Sequence, residues 1–132
     1  MYFYFYNIRH IIGIILMLSF LFIPASVSGG ANRLLKVTAT AYNSLPSQTD
    51  RTPNIAAWGD KLVPGMKAIA VSRDLLSKGL IRGTKVKIAG LPGTYTVLDK
   101  MNKRWLRKID VYMGNNVKAA RKWGRRDVHI QW

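Results

Sequence analysis

A mainly β fold, a small barrel or sandwich of about six strands with two short helices, is predicted for this chain of 132 residues by three observations. Short segments alternate apolar and polar residues, the period of a strand with one buried face. Turn-forming Gly, Pro, Asn and Asp separate those segments at short intervals. Only residues 73–81 and 115–124 carry helix signals, and both stretches are short.

Taken in order, LLKVTATAYN (34–43) alternates and ends at a loop, so it reads as a strand. SLPSQTDRTPNIAAWGDKLVPG (44–65) is rich in Pro, Gly, Ser, Thr and Asp and reads as a long structured loop, of the kind that often carries function. KAIAVS (67–72) is a strand, and RDLLSKGLI (73–81) is a short helix or turn that Gly79 stops. TKVKIAG (84–90) alternates and runs into the turn LPG; GTYTVLD (93–99) is the next strand, finishing on Asp99. KIDVYMG (108–114) is a strand carrying Asp110. NNVKAARKWG (115–124) is a helix with Asn115 or Asn116 as N-cap and Gly124 as its stop, and RDVHIQW (126–132) closes the chain as a strand.

The N-terminal region reads differently. Residues 11–23, IIGIILMLSFLFI, are an unbroken apolar run of 13, preceded by Arg9 and His10 and followed by small residues at Ser26 and Ser28. This is the layout of a secretory signal, and it is short for a membrane span, which needs about 20 residues. The expected organisation is a signal peptide over 1–28 (retention as an uncleaved anchor being the other reading), a short linker over 29–35 and one domain over 36–132. The expected location is the periplasm or the extracellular cell envelope, with no stable membrane span once the signal is removed.

Charge and composition bound the partners. The chain carries 21 Lys and Arg against six acids, all of them Asp, for a net charge of +15; without its first 28 residues it is still +14. Such a surplus calls for an anionic partner. Export makes nucleic acid an unsuitable one and points to anionic polymers of the envelope. Cysteine is absent, so there is neither a disulfide framework nor a thiolate metal site. His129 is the sole histidine beyond the N-terminal region, which argues against a histidine triad or a histidine metal site. No Gly-rich phosphate loop is present. No cofactor and no metal are expected, and aspartate is the residue type left for acid–base work.

The segments TATAYN, AAWGDKLVPGMKAIAVS, IRGTKVKIAGLPGTYTVLD, KIDVYMG and AARKWGRRDVHI, in that order, resemble the three-aspartate (3D) domain family. That family is related to the catalytic barrel of membrane-bound lytic transglycosylase A and, more distantly, to the rare lipoprotein A-like and expansin barrels. The match spans about residues 36–132. The resemblance implies a six-stranded double-psi β-barrel with short helices, a substrate groove, and peptidoglycan glycan strands as partner. It further implies an enzyme, a lytic transglycosylase: Asp110 would protonate the leaving oxygen of the MurNAc–GlcNAc bond and accept the proton of the C6 hydroxyl, giving 1,6-anhydro-MurNAc, with Asp99 assisting. A non-catalytic peptidoglycan-binding module is the alternative. Two departures stand out. Ser72 occupies the place of the family's first aspartate, and KMNKRWLRK replaces a Gly-rich run after Asp99.

Each candidate has a structural reading beside its functional one. Asp110 either does acid–base work or accepts structural hydrogen bonds at a barrel crossing. Like-charge proximity from Asp99 and an apolar strand would raise its pKa; Lys108, two residues away and on the same strand face, would lower it. Tyr42 either lines the groove or plugs the barrel, and Trp58 either meets sugar or packs. Lys100, Arg104 and Trp105 are expected at the rim, where cations would gather an anionic polymer; residues 100–126 hold ten Lys and Arg and one acid.

Overall fold

The computed structural model describes residues 32–45 and 54–132. The expected signal segment and the start of the linker lie outside these residues. The described chain forms six strands: β1 (Leu34–Tyr42), β2 (Ala68–Val71), β3 (Lys85–Ile88), β4 (Tyr95–Lys100), β5 (Lys108–Tyr112) and β6 (Arg126–Gln131). A 3₁₀ helix spans Arg73–Lys78, and one α-helix, α1, spans Val117–Trp123. Among the described residues no helix is long and apolar enough to cross a membrane.

The strands close in the order β1-β5-β2-β4-β3-β6. Two neighbouring pairs, β1 with β5 and β2 with β4, are parallel; the other contacts are antiparallel. This closed, mixed six-stranded barrel with short helices is a double-psi β-barrel, as the resemblance implied. Closure leaves no strand edge unpaired.

Strand periodicity builds the core. Val37 and Ala39 of β1, Ile69 and Val71 of β2, Val86 and Ile88 of β3, Ile109 and Val111 of β5, and Val128 and Ile130 of β6 all point inward and are buried. Each fully buried aliphatic side chain contributes roughly 1.5–3 kcal/mol. The alternating partners Thr38, Thr40, Lys108, Asp110, Asp127 and His129 are left on the outer face, at least partly exposed. His129 is exposed, as its alternation predicts.

Local signals set the connections. Gly79 caps the 3₁₀ helix at φ 91°, a left-handed conformation that suits glycine. The Asn116 side chain accepts a hydrogen bond from the Ala119 N–H at 2.9 Å and starts α1, which Gly124 ends at φ 61°.

A second, smaller cluster lies on the outer face of the sheet. Ala56 and Leu62, from the loop before β2, are buried against Ala68 and Tyr112, with Tyr42 and Leu98 packed at the margin. Ile55 bridges Lys61 within this loop, and Arg82 grips Asp60 with two hydrogen bonds of 2.7 and 2.6 Å. The loop is thereby folded down beside the two aspartates.

Candidate functional site

Register brings Asp99 and Asp110 together. Ala70 of β2 pairs with Asp110 of β5 on one side and with Asp99 of β4 on the other, and Asp110 pairs in turn with Thr40 of β1. One row therefore runs Thr40, Asp110, Ala70, Asp99 across four strands. A register shift between Ile69 and Ala70 aligns it: Ile69 faces Val97, yet Ala70 faces Asp99, so β4 carries one extra residue, Leu98. Such a bulge re-aims a side chain. Without it Asp99 would follow Val97 into the barrel, since residues two apart share a face.

The two acids have different surroundings. The Thr40 hydroxyl donates to Asp110 Oδ1 at 2.9 Å. Burial pushes the Asp110 carboxyl up to about 6; the Thr40 hydrogen bond and the charge of Lys108 pull it down by less, and the charge of Asp99 adds a smaller rise. Lys108 shares the outer face with Asp110 as predicted; its ammonium stands 3.7 Å from the centre of the Trp105 ring, a cation–π contact, and its charge lowers the Asp110 pKa by less than burial raises it. Asp99 Oδ1 accepts from the Ala57 N–H at 2.7 Å and from its own neighbour's N–H, Lys100, at 2.8 Å. Asp99 thus clasps the loop before β2 to the end of β4.

The remaining candidates divide into two groups. Tyr42 lies on the outer face and does not plug the barrel: its hydroxyl reaches Asp99 Oδ2 at 3.5 Å and its ring packs at 5.4 Å on Tyr112. Burial, followed by the charges of Asp99 and Asp110, raises the Tyr42 hydroxyl well above its ordinary range, so it stays a donor. Trp58 packs against the barrel core and carries the Lys100 ammonium 5.5 Å from its ring centre. Tyr42, Trp58, Asp99, Lys100 and Asp110 therefore form one patch. Trp105 stands at its edge beside Lys108, and Arg104 stacks 4.9 Å from the far partner, the Trp105 ring, without reaching either aspartate.

Ser72, where the resemblance would put an aspartate, is fully buried. Its N–H donates to the Lys108 carbonyl at 2.8 Å, and its hydroxyl accepts from the Lys108 N–H at 2.9 Å. It ties β2 to β5 and touches no groove. Asp74 accepts from the Arg107 N–H at 3.0 Å, anchoring the basic connection after β4, where Arg107 holds φ 49°. Sequence reasoning missed Thr40, although strand alternation in TATAY puts it on the face of Tyr42. It also missed the Ala57 N–H, a backbone donor that no residue type announces.

No family model matches the chain, and no curated protein matches it. Among solved structures it is similar to an apo expansin of Clavibacter michiganensis, at 20% identity, covering 74% of this chain with a TM-score of 0.48. This chain spans 49% of the length of that expansin.

The expectation of a lytic transglycosylase, and with it that of a glycan-cleaving enzyme, is corrected. The similarity found is to an expansin. Among the described residues no hydrogen bond joins the two aspartates, and Asp99 acts on Asp110 through like-charge proximity, which raises its pKa slightly. Asp99 is committed to backbone N–H groups instead, and its charge is the smallest influence on Asp110. The sequence showed two acids eleven residues apart; it did not show that one of them fastens a loop.

Proposed function

We propose that the domain binds glycan strands of peptidoglycan in the cell envelope, after export, without cleaving them. Its outer face supports this reading through one observation above others: the Thr40–Asp110–Ala70–Asp99 row is a fixed line of hydrogen-bond acceptors and donors beside the Tyr42 and Trp58 rings. Sugar hydroxyls need such partners, and aromatic rings offer an apolar face with a polar edge. Ala70, small and central, keeps the row shallow. The end of β4, the connection after it and the start of β5 supply Lys100, Lys103, Arg104, Arg107 and Lys108, which draw in the acidic groups of wall polymers. The sequence motifs of the three-aspartate family support the same substrate class.

The test is sedimentation with purified sacculi. Wild type is expected to co-sediment at low salt and to be released as salt rises, because exposed charges are screened. Asp110→Asn keeps a hydrogen-bonding side chain in the row and is expected to retain binding, whereas Asp110→Leu, which removes it, and the double substitution Trp58→Ala with Lys100→Gln are each expected to weaken retention by roughly tenfold. Failure to co-sediment at low salt, or release of soluble glycan fragments, refutes the proposal.

A further inference from the structure

A cavity of about 640 Å³ opens between α1, the start of β2 and the turn from β3 to β4. Neither Asp99 nor Asp110 lines it. Three cations do, Lys67, Lys122 and Arg126, and no acid. Tyr95, Tyr112 and Trp123 contribute to its wall, each almost wholly buried.

Two of the cations are held in place. Lys67 Nζ donates to the Pro92 carbonyl at 2.7 Å and lies 5.7 Å from the Tyr95 ring centre. The Arg126 guanidinium stacks 4.2 Å from the Trp123 ring centre and donates to the Trp123 and Lys122 carbonyls at 2.8 and 3.1 Å. None of the three has a carboxylate partner among the described residues; the two ion pairs, Lys36–Asp127 and Arg82–Asp60, lie elsewhere. The Trp123 indole N–H is buried and has no acceptor among the described residues. The wall itself is fixed by close packing, since a Cβ on Gly114 would lie 2.9 Å from Pro64 Cα.

We propose that this cavity is a second binding site, separate from the Asp99 and Asp110 row, for a small acidic sugar: a pyranose carrying one carboxylate. The cations without acidic partners supply the complement of a carboxylate, and attraction grows where aromatic walls exclude water. The exposed margins of these rings, with Leu91 and Met113, supply an apolar wall for the C–H side of a pyranose. Asn116 and the backbone of Gly65, Gly90 and Gly114 line the same space, giving hydroxyls and an acetamido group partners that an alkyl chain would leave unpaired. The volume lies within the range of about 300–1,000 Å³ usual for small-ligand sites. The proposal stands apart from the peptidoglycan reading, which concerns the outer-face row.

The test follows the Trp123 indole N–H and the Tyr95 ring by NMR during titration. The probes are N-acetylmuramic acid, its carboxylate-free counterpart N-acetylglucosamine, octanoate and inorganic phosphate. N-acetylmuramic acid is expected to shift both signals saturably and to bind at least about fivefold more tightly than each of the other three. Lys122→Gln is expected to weaken it by about fivefold, the worth of one partly exposed charge contact. Ala119→Leu, which fills the cavity from α1 without changing charge, is expected to abolish the shifts and to leave sacculus sedimentation intact. A margin below fivefold over any of the other probes overturns the proposal, as does unchanged binding by Ala119→Leu. Loss of sacculus binding with the titration intact would refute only the peptidoglycan reading.

Discussion

Replacing Asp110 by Asn removes a charge that the barrel surface disfavours, and the effect can be followed with pH. Folding raises this carboxyl from 3.8 to about 6, chiefly by burial. Between these values the folded chain holds a proton that the unfolded chain has lost. Stability attributable to Asp110 is therefore fully present below about pH 4, falls as pH rises to about 6, and is flat above that. A shift from 3.8 to about 6 corresponds to about 3 kcal/mol. Asn keeps the shape of the neutral acid and still accepts from Thr40, so Asp110→Asn is expected to lose this slope and to gain up to about 3 kcal/mol over wild type between pH 4 and 7. Urea unfolding at a series of pH values measures both curves, and their difference isolates residue 110. Asp60 does not interfere, because Arg82 holds its carboxyl below the usual range and its contribution is lost only as pH falls further. If the two curves run parallel from pH 4 to 7, the burial argument for Asp110 is wrong.

Thr40→Val removes the hydroxyl that steadies the ionised form of Asp110, and is expected to move the Asp110 midpoint further upward, read from its side-chain carboxyl signal by NMR. Asp99→Ala leaves the Ala57 N–H without its acceptor; hydrogen exchange at Ala57 is expected to accelerate, with a stability loss of about 1–3 kcal/mol in urea unfolding. Gly79→Ala forces a Cβ into a left-handed position at φ 91° and close to Arg33, and is expected to cost about 1–2 kcal/mol and to lower Tm.

The strands were legible because their core residues repeat with period two. KVTATAY, TKVKI and DVHI each state which side chains go inward, and the barrel uses those choices at Val37, Val86 and Val128. Asn116 and Gly124 announced α1 in the same local way. The candidate site was only half legible. Asp99, Asp110, Tyr42 and Trp58 were named from sequence and do share a patch, but their roles depend on partners that approach from distant parts of the chain. Thr40 is 70 residues from Asp110, and Ala57 is 42 from Asp99. The Gly-poor connection KMNKRWLRK showed a run of cations expected at the rim; it did not show that Trp105 holds the Lys108 ammonium or that Asp74 holds the backbone at Arg107.

By itself the sequence determined the mainly β class, the strands in order, the basic balance and the shortage of acids, because each rests on local period or on composition. Tertiary structure alone decided that Asp99 faces outward, through one extra residue on β4 opposite Ala70. It alone decided that Ser72 is sealed in a strand contact, that Asp99 fastens a loop, and that three cations surround an aromatic cavity beside α1. The physical reason is common to all of these. Register, burial and the hydrogen-bond partners of a carboxylate are set by strands that meet only once the barrel closes, and none of them is a property of neighbours in sequence.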